Sequence, residues 1–213
     1  MAEFRTINDF KSKLTGGGVR PNLFEVELNF PAEALNFMDN EQDAQAATQT
    51  LSNTTGETGV AGLAPFMVKA ANLPASNITP VEVPFRGRIL KVAGERTFDS
   101  WTVTVLNDAD FKIRTAMEQW MNGISRLTNG SGEVNPNDYT ADSFVTQLDR
   151  NGGQLRRYKF FGLFPTNISE IALSMDTTDT IEEFTVTFQV QYWVAGTNST
   201  NGGPSDQRNL VTR

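Results

Sequence analysis

The 213-residue chain contains no cysteine and no histidine. The first absence excludes disulfides and thiolate metal ligands, and it fits a cytosolic folding compartment. The second removes the commonest general base and metal ligand, and the two together exclude Ser-His and Cys-His nucleophile arrangements. Positive charge is also scarce. Eighteen Lys and Arg stand against 25 Asp and Glu, for a formal net charge of −7 and a pI near 4.7. A chain so poor in clustered cations has no grip on phosphates, although passive contact with DNA is compatible with it. No apolar run approaches the length needed to span a bilayer, and the opening MAEFRTINDFKSKL lacks the continuous apolar stretch of a secretory signal. A soluble chain, not exported by that route, is the expectation. At this length one domain suffices, with roughly 70% of the unfolded surface buried, and no internal repeat divides it.

What is present is dominated by alternation. Residues 93–108, AGERTFDSWTVTVLND, join a turn signal (Ala93-Gly94-Glu95), a strand and a helix start. Trp101, Val103 and Val105 fall on one face at a period of two, and Asn107 or Asp108 can cap a helix through a side-chain oxygen. Residues 22–30 form a second strand, with Phe24, Val26, Leu28 and Phe30 inward and Glu25, Glu27 and Asn29 outward. Residues 31–63, rich in Ala, Thr, Gln, Asn and Gly, read as a surface excursion with a short helix near 41–48. A return strand is expected over 65–73, then a loop or edge segment over 74–84, where Pro74, Pro80 and Pro84 exclude central ladder positions, and a strand over 85–92. The one helix is expected over 109–127, its apolar face made by Ile113, Met117, Trp120, Ile124 and Leu127. A loop over 129–138 follows.

Strands over 143–149 and 155–164 flank the hairpin signal Asn151-Gly152-Gly153. A last pair is expected over 168–175 and 183–194, joined by a polar turn. In the second of these, Phe184, Val186, Phe188, Val190 and Tyr192 alternate with Thr185, Thr187, Gln189, Gln191 and Trp193. Trp193 therefore falls on the polar register, which suits an interface residue. The N-terminal stretch carries Phe4, Ile7, Phe10 and Leu14 at near-helical spacing before three glycines, and suits either a frayed end or an arm packed on a neighbouring subunit. The tail after Gly196 is polar and is expected to be mobile by itself.

Chemistry is sparse. Asp108 with Asp110 fits the first turn of a helix, where acidic groups complement the dipole. Glu182 and Glu183 point to opposite faces of a strand. Asp176 and Asp179 could hold calcium but read better as a solvated turn. Gly56, Gly59 and Gly62 lack the strand, lysine and helix start of a phosphate loop, and the five Asn-X-Ser/Thr matches in so Asn-rich a chain are expected by chance.

Four pieces of the chain, in order, carry a resemblance: RPNLFEVEL (20–28), the run 93–108, GLFPTN (162–167) and FTVTFQVQYW (184–193). Together they resemble the tail tube proteins of contractile-tailed bacteriophages. The resemblance implies a mainly β fold of two packed antiparallel sheets, as a sandwich or partly closed barrel with one flanking helix. It further implies six-fold rings whose inner sheets join into one barrel, no catalysis, no cofactor and no small-molecule substrate. The implied partners are other copies of the chain within and between rings, the tail sheath protein, the baseplate, tape-measure and tail-terminator proteins, and double-stranded DNA passing without specific binding. The implied location is the virion tail, assembled in the host cytoplasm. On this reading residues 1–19 are an arm, 20–194 the β domain and 195–213 a polar tail. The excursion at 31–63 departs from the family's short hairpin. Because the family's segment matching 74–84 reaches an adjacent subunit, Leu73 and Ile78 join Phe4, Phe10 and Trp193 as expected inter-subunit residues. The wet faces of the two clearest strands supply the expected channel lining, Glu25, Glu27 and Asn29 in one row and Thr185, Thr187, Gln189 and Gln191 in the other, with no Lys or Arg in either. The alternatives are the tube of a type VI secretion or contractile injection system and, from another class, a monomeric carbohydrate-binding β-sandwich, which would cluster its aromatics on loops.

Overall fold

The computed structural model describes residues 6–14, 18–31, 60–176 and 178–197. The expected helix at 41–48, Phe4 and the tail beyond 197 lie outside them. Within them the chain is mainly antiparallel β. The elements in order are α1 (Ile7–Lys13), β1 (Phe24–Glu27), α2 (Val60–Met67), β2 (Val68–Ala71), β3 (Ser76–Phe85), β4 (Arg88–Phe98), β5 (Trp101–Leu106), α3 (Lys112–Ile124), α4 (Pro136–Tyr139), β6 (Ala141–Leu148), β7 (Gln154–Ile168), β8 (Glu183–Gln189) and β9 (Tyr192–Thr197). A seven-stranded sheet runs β1-β6-β7-β8-β5-β2, with β9 also on β7, while β3 and β4 form a separate two-stranded sheet.

The long strand β7 is the fold's spine. Along one side it pairs with β6, and along the other with β9 in its first half and β8 in its second. The two halves of the sheet thus turn toward each other across one core. Trp101 of β5 stacks on Phe160 of β7 at 4.6 Å and meets Phe188 at 5.4 Å. Trp101, Val103, Val105, Val186, Phe188, Phe160 and Leu163 are all fully buried. The bend has a local cause. Gly162 has φ +58° and sits where β7 carries an extra residue against β6, between Leu163 and Phe160. Opposite it, the run 184–194 breaks at Val190 and Gln191 instead of continuing as one strand. A left-handed backbone costs an L-residue about 1–2 kcal/mol, so Gly162→Ala is expected to lower the stability of the subunit by that much. A denaturation midpoint equal to wild type would show that the bulge relaxes around a side chain.

The helix expected over 109–127 is shorter. The N-cap position is Phe111, in the left-handed region and without a side-chain cap, not the expected Asn107 or Asp108, although Asp108 Oδ1 does accept from the Lys112 backbone N–H at 3.0 Å. Ile113, Met117 and Trp120 face the core, whereas Leu127 is past the helix end and 89% exposed. Trp120 meets Phe30 edge-on at 5.7 Å and donates its indole N–H to the Tyr139 carbonyl at 2.6 Å.

The structure corrects several other expectations. There are four helices among the described residues, not one. The return strand over 65–73 is confined to Val68–Ala71, because residues 60–67 are helical and Phe66 is 80% exposed. The stretch 168–175 is no strand: β7 ends at Ile168, and Leu173 and Met175 stand in solvent. The expected turn Ala93-Gly94-Glu95 lies inside β4, and of the two readings of 74–84 the edge segment holds, since residues 76–85 form a strand of a two-stranded sheet. Finally, β9 keeps its ladder with β7 as far as Thr197, opposite Arg156.

Candidate functional site

A site of chemistry would need gathered ionisable groups, and the carboxylates singled out in the sequence are engaged elsewhere. Asp108 accepts from the Lys112 backbone N–H at the start of α3, and Asp110 pairs with the Lys112 ammonium at 3.0 Å. Glu182 accepts from the Asn107 amide at 2.7 Å and Glu183 pairs with Lys69. Asp176 and Asp179 are exposed in the connection before β8. The features that stand out are surfaces.

The first is the arm made by β3 and β4. Every residue of β3 and most of β4 are exposed, in strands of 10 and 11 residues. The turn Arg86-Gly87 has both residues at positive φ, 47° and 80°. That is the two-residue turn whose twist matches a β-hairpin. Cross-strand partners share a face, so Val81 with Val92 and Val83 with Leu90 form an apolar stripe that Phe85 extends beside Arg88. These apolar groups are 44–66% exposed. On the opposite face Glu82 pairs with Lys91 at 3.6 Å between prolines. Near the base the register shifts between Ile78 and Pro80. There a Cβ on Gly94 would stand 2.4 Å from the Thr79 carbonyl oxygen, so only glycine lets the two backbones approach. The arm leaves the body where Asn77 donates to Asp99 at 3.0 Å and Phe98 meets Trp193 edge-on at 6.1 Å.

That contact places Trp193 half-buried between Phe98 and Tyr158 at the arm's root. Leu73 and Ile78 are 40% and 51% exposed near the same root, and Phe10 is 64% exposed on α1, a helix with no buried residue. A reciprocal capping box between Thr6 and Asp9 holds α1, and the Thr6 donors keep the exposed Asp9 carboxyl below its ordinary range.

The two rows expected to line a channel lie on different outer faces. Around Glu25 and Glu27 the face carries charges of both signs. Arg157 of β7 donates to Glu27 at 2.8 Å and lies over the Phe144 ring at 4.1 Å, while Lys159 pairs with Asp142 at 2.9 Å and lies 4.2 Å from the Phe161 centroid. Sequence reasoning missed Arg157 and Lys159 because they lie on β7, across the intervening strand β6 and some 130 residues along the chain from Glu27. Asn29 turns back onto β6, its amide donating to the Asp142 carbonyl at 2.8 Å. The other face is mostly hydroxyl, with the Glu183–Lys69 pair at its end. Thr102 lies opposite Thr187 and Thr104 opposite Thr185, giving four hydroxyl side chains on the outer face of β5 and β8. Gln189 is exposed opposite Phe164, and Gln191 is exposed at the break between β8 and β9.

A family model described as phage tail tube protein matches residues 19–196. Over 180 residues the chain is 31% identical to the tail tube protein gp19 of Enterobacteria phage T4, covering 84% of this chain and 93% of that one. The fold is similar to a chain of an extracellular contractile injection system, PVC, in its extended sheath-tube complex, with a TM-score of 0.55, 12% identity and coverage of 88% and 97%. It is also similar to a chain of the anti-feeding prophage tube-terminating cap, with a TM-score of 0.54, 15% identity and coverage of 85% and 92%.

Proposed function

The chain belongs to the phage tail tube protein family, a structural component of the virion tail, and from that premise we propose that it closes into six-fold rings by laying its arm on the next subunit. The rings stack into a hollow conduit for the genome inside a contractile sheath. One observation carries the assembly reading: a 10-residue strand and an 11-residue strand project from the body with their apolar stripe in solvent. An exposed, long, apolar hairpin is an aggregation hazard in a monomer and a contact surface in an assembly. The arm differs from any surface it could cover on the body, so the contact is head-to-tail, and such contacts generate closed rings or open filaments. The partners that follow are further copies of the chain and the sheath, with baseplate, tape-measure and terminator proteins at the ends. The role is mechanical, without catalysis.

For the channel wall, the threonine face fits better than the Glu25 and Glu27 face. The glutamate face carries fixed charges of both signs, with Arg157 and Lys159 paired to Glu27 and Asp142, whereas Thr102, Thr104, Thr185 and Thr187 offer short, uncharged side chains past which DNA slides. Thr185→Lys with Thr187→Lys is expected to leave tubes assembling but to slow genome exit, most strongly at low salt. Glu25→Lys with Glu27→Lys should leave the exit rate unchanged. The reverse pattern would move the channel to the glutamate face. The assembly itself is tested by electron microscopy of the purified protein. Rings or tubes are expected, and monomers at every concentration, with tail partners added, would overturn the reading.

A further inference from the structure

Among the described residues no strand pairs with either outer edge of the arm, and its sequence treats the two edges unequally. In a two-residue hairpin the closing pair, here Phe85 and Arg88, exchanges both of its backbone hydrogen bonds, and the pattern alternates from there. Val83 with Leu90 and Val81 with Val92 are therefore bonded pairs. Pro84 with Ile89, Glu82 with Lys91 and Pro80 with Ala93 are the intervening pairs, whose backbone groups point away from the hairpin. Both prolines of β3 thus stand at outward positions. They cost the arm none of its own bonds, and they leave the outer edge of β3 without donors at 80 and 84. The outer edge of β4 keeps all three N–H groups, at Ile89, Lys91 and Ala93.

We propose that the β4 edge, over residues 89–93, accepts an extended strand from a second copy of this chain, and that Pro80 and Pro84 close the β3 edge so that pairing has one polarity. The inference rests on the reading that the arm reaches a neighbour. A second copy is the occupant that the charges favour: residues 76–98 carry Arg86, Arg88, Lys91 and Arg96 against only Glu82 and Glu95, while the whole chain has a net charge of −7. The body also offers open-edged strands, since β1 and β2 end the seven-stranded sheet. With both edges open, strands could add on either side and head-to-tail growth would branch. One closed edge leaves a single direction of propagation, which a ring requires.

Glu82 and Lys91 face each other across the arm, so replacing either with proline loses the same exposed ion pair and, by the same parity, none of the arm's own bonds. Lys91→Pro is expected to raise the concentration needed for ring formation more than tenfold. Glu82→Pro, and Lys91→Ala, which keeps the N–H, should assemble as wild type. Melting curves of the monomers check folding, and Ile89→Pro probes the same edge at a second outward position if Lys91→Pro melts early. If Lys91→Pro and Ile89→Pro assemble normally, the edge pairing is wrong, although contact through the arm's apolar face survives and is separately tested by Val83→Asp. Failure of Glu82→Pro along with Lys91→Pro would overturn the polarity, and failure of Glu82→Pro alone would reverse it.

Discussion

Val83→Asp is expected to yield a folded subunit that stays monomeric at concentrations where wild type forms rings. Val83 lies in the middle of the arm's apolar stripe, bonded across to Leu90 and 44% exposed. Neither strand of the arm contributes a residue to the hydrophobic core. A carboxylate there costs the isolated subunit little, because water still reaches it. Once the stripe is covered, the same carboxylate is buried without a partner, at a cost of about 3–5 kcal/mol. At each contact that is roughly a 10²–10⁴-fold loss of affinity, and a ring repeats the loss at every junction. Analytical ultracentrifugation with melting curves separates the two states. Rings from Val83→Asp would show that the stripe is not an interface, and a large drop in melting temperature would show that it belongs to the fold.

Trp101→Ala is expected to act the opposite way, on the subunit before the assembly. Trp101 is fully buried, stacked on Phe160, packed on Phe188, and its indole N–H donates to the Asn72 carbonyl at 2.8 Å. Truncation removes the contact that joins the two halves of the sheet and leaves that carbonyl without its donor. Large aromatic truncations cost about 3–5 kcal/mol, a third or more of the stability of a typical domain. For a chain of this size the melting temperature should fall on the order of 10 °C. An unchanged melting temperature would remove Trp101 from the core.

The strands that could be read from the sequence are those whose own period settles them. Trp101, Val103 and Val105 alternate with threonines, as do Phe184, Val186 and Phe188, and all six are buried. The helix face Ile113, Met117 and Trp120 was equally legible. The misreadings fall where a distant partner decides. Gly94 looks like a turn residue, but its role is set by the carbonyl of Thr79 on another strand. Pro80 and Pro84 leave a loop and an edge strand equally open, and only the partner β4, with the prolines at alternate outward positions of its ladder, decides for the strand. Residues 60–67, with Gly62 and Pro65 inside, carry helix-breaking residues and still form a helix, its Ala64 fully buried in the core. The pattern over 168–175 alternates too, but the ladder of β7 with β8 ends at Ile168, and Leu173 and Met175 stand in solvent. The candidate surfaces were half legible: the rows Glu25 and Glu27 and Thr185 and Thr187 do face outward, whereas the cations beside the first row come from β7 and could not be seen from β1.

The central claim is that the arm of one copy lies on the body of the next and that six such contacts close. It can be measured directly by placing a photo-crosslinking residue at Phe85, 66% exposed at the arm's tip, and irradiating assembled tubes. A ladder of crosslinked species that rises to six and stops is expected. Products ending at the dimer would mean that arms meet arms, a ladder continuing past six would mean that the contact does not close within a ring, and the absence of any crosslink between copies would contradict the assembly outright.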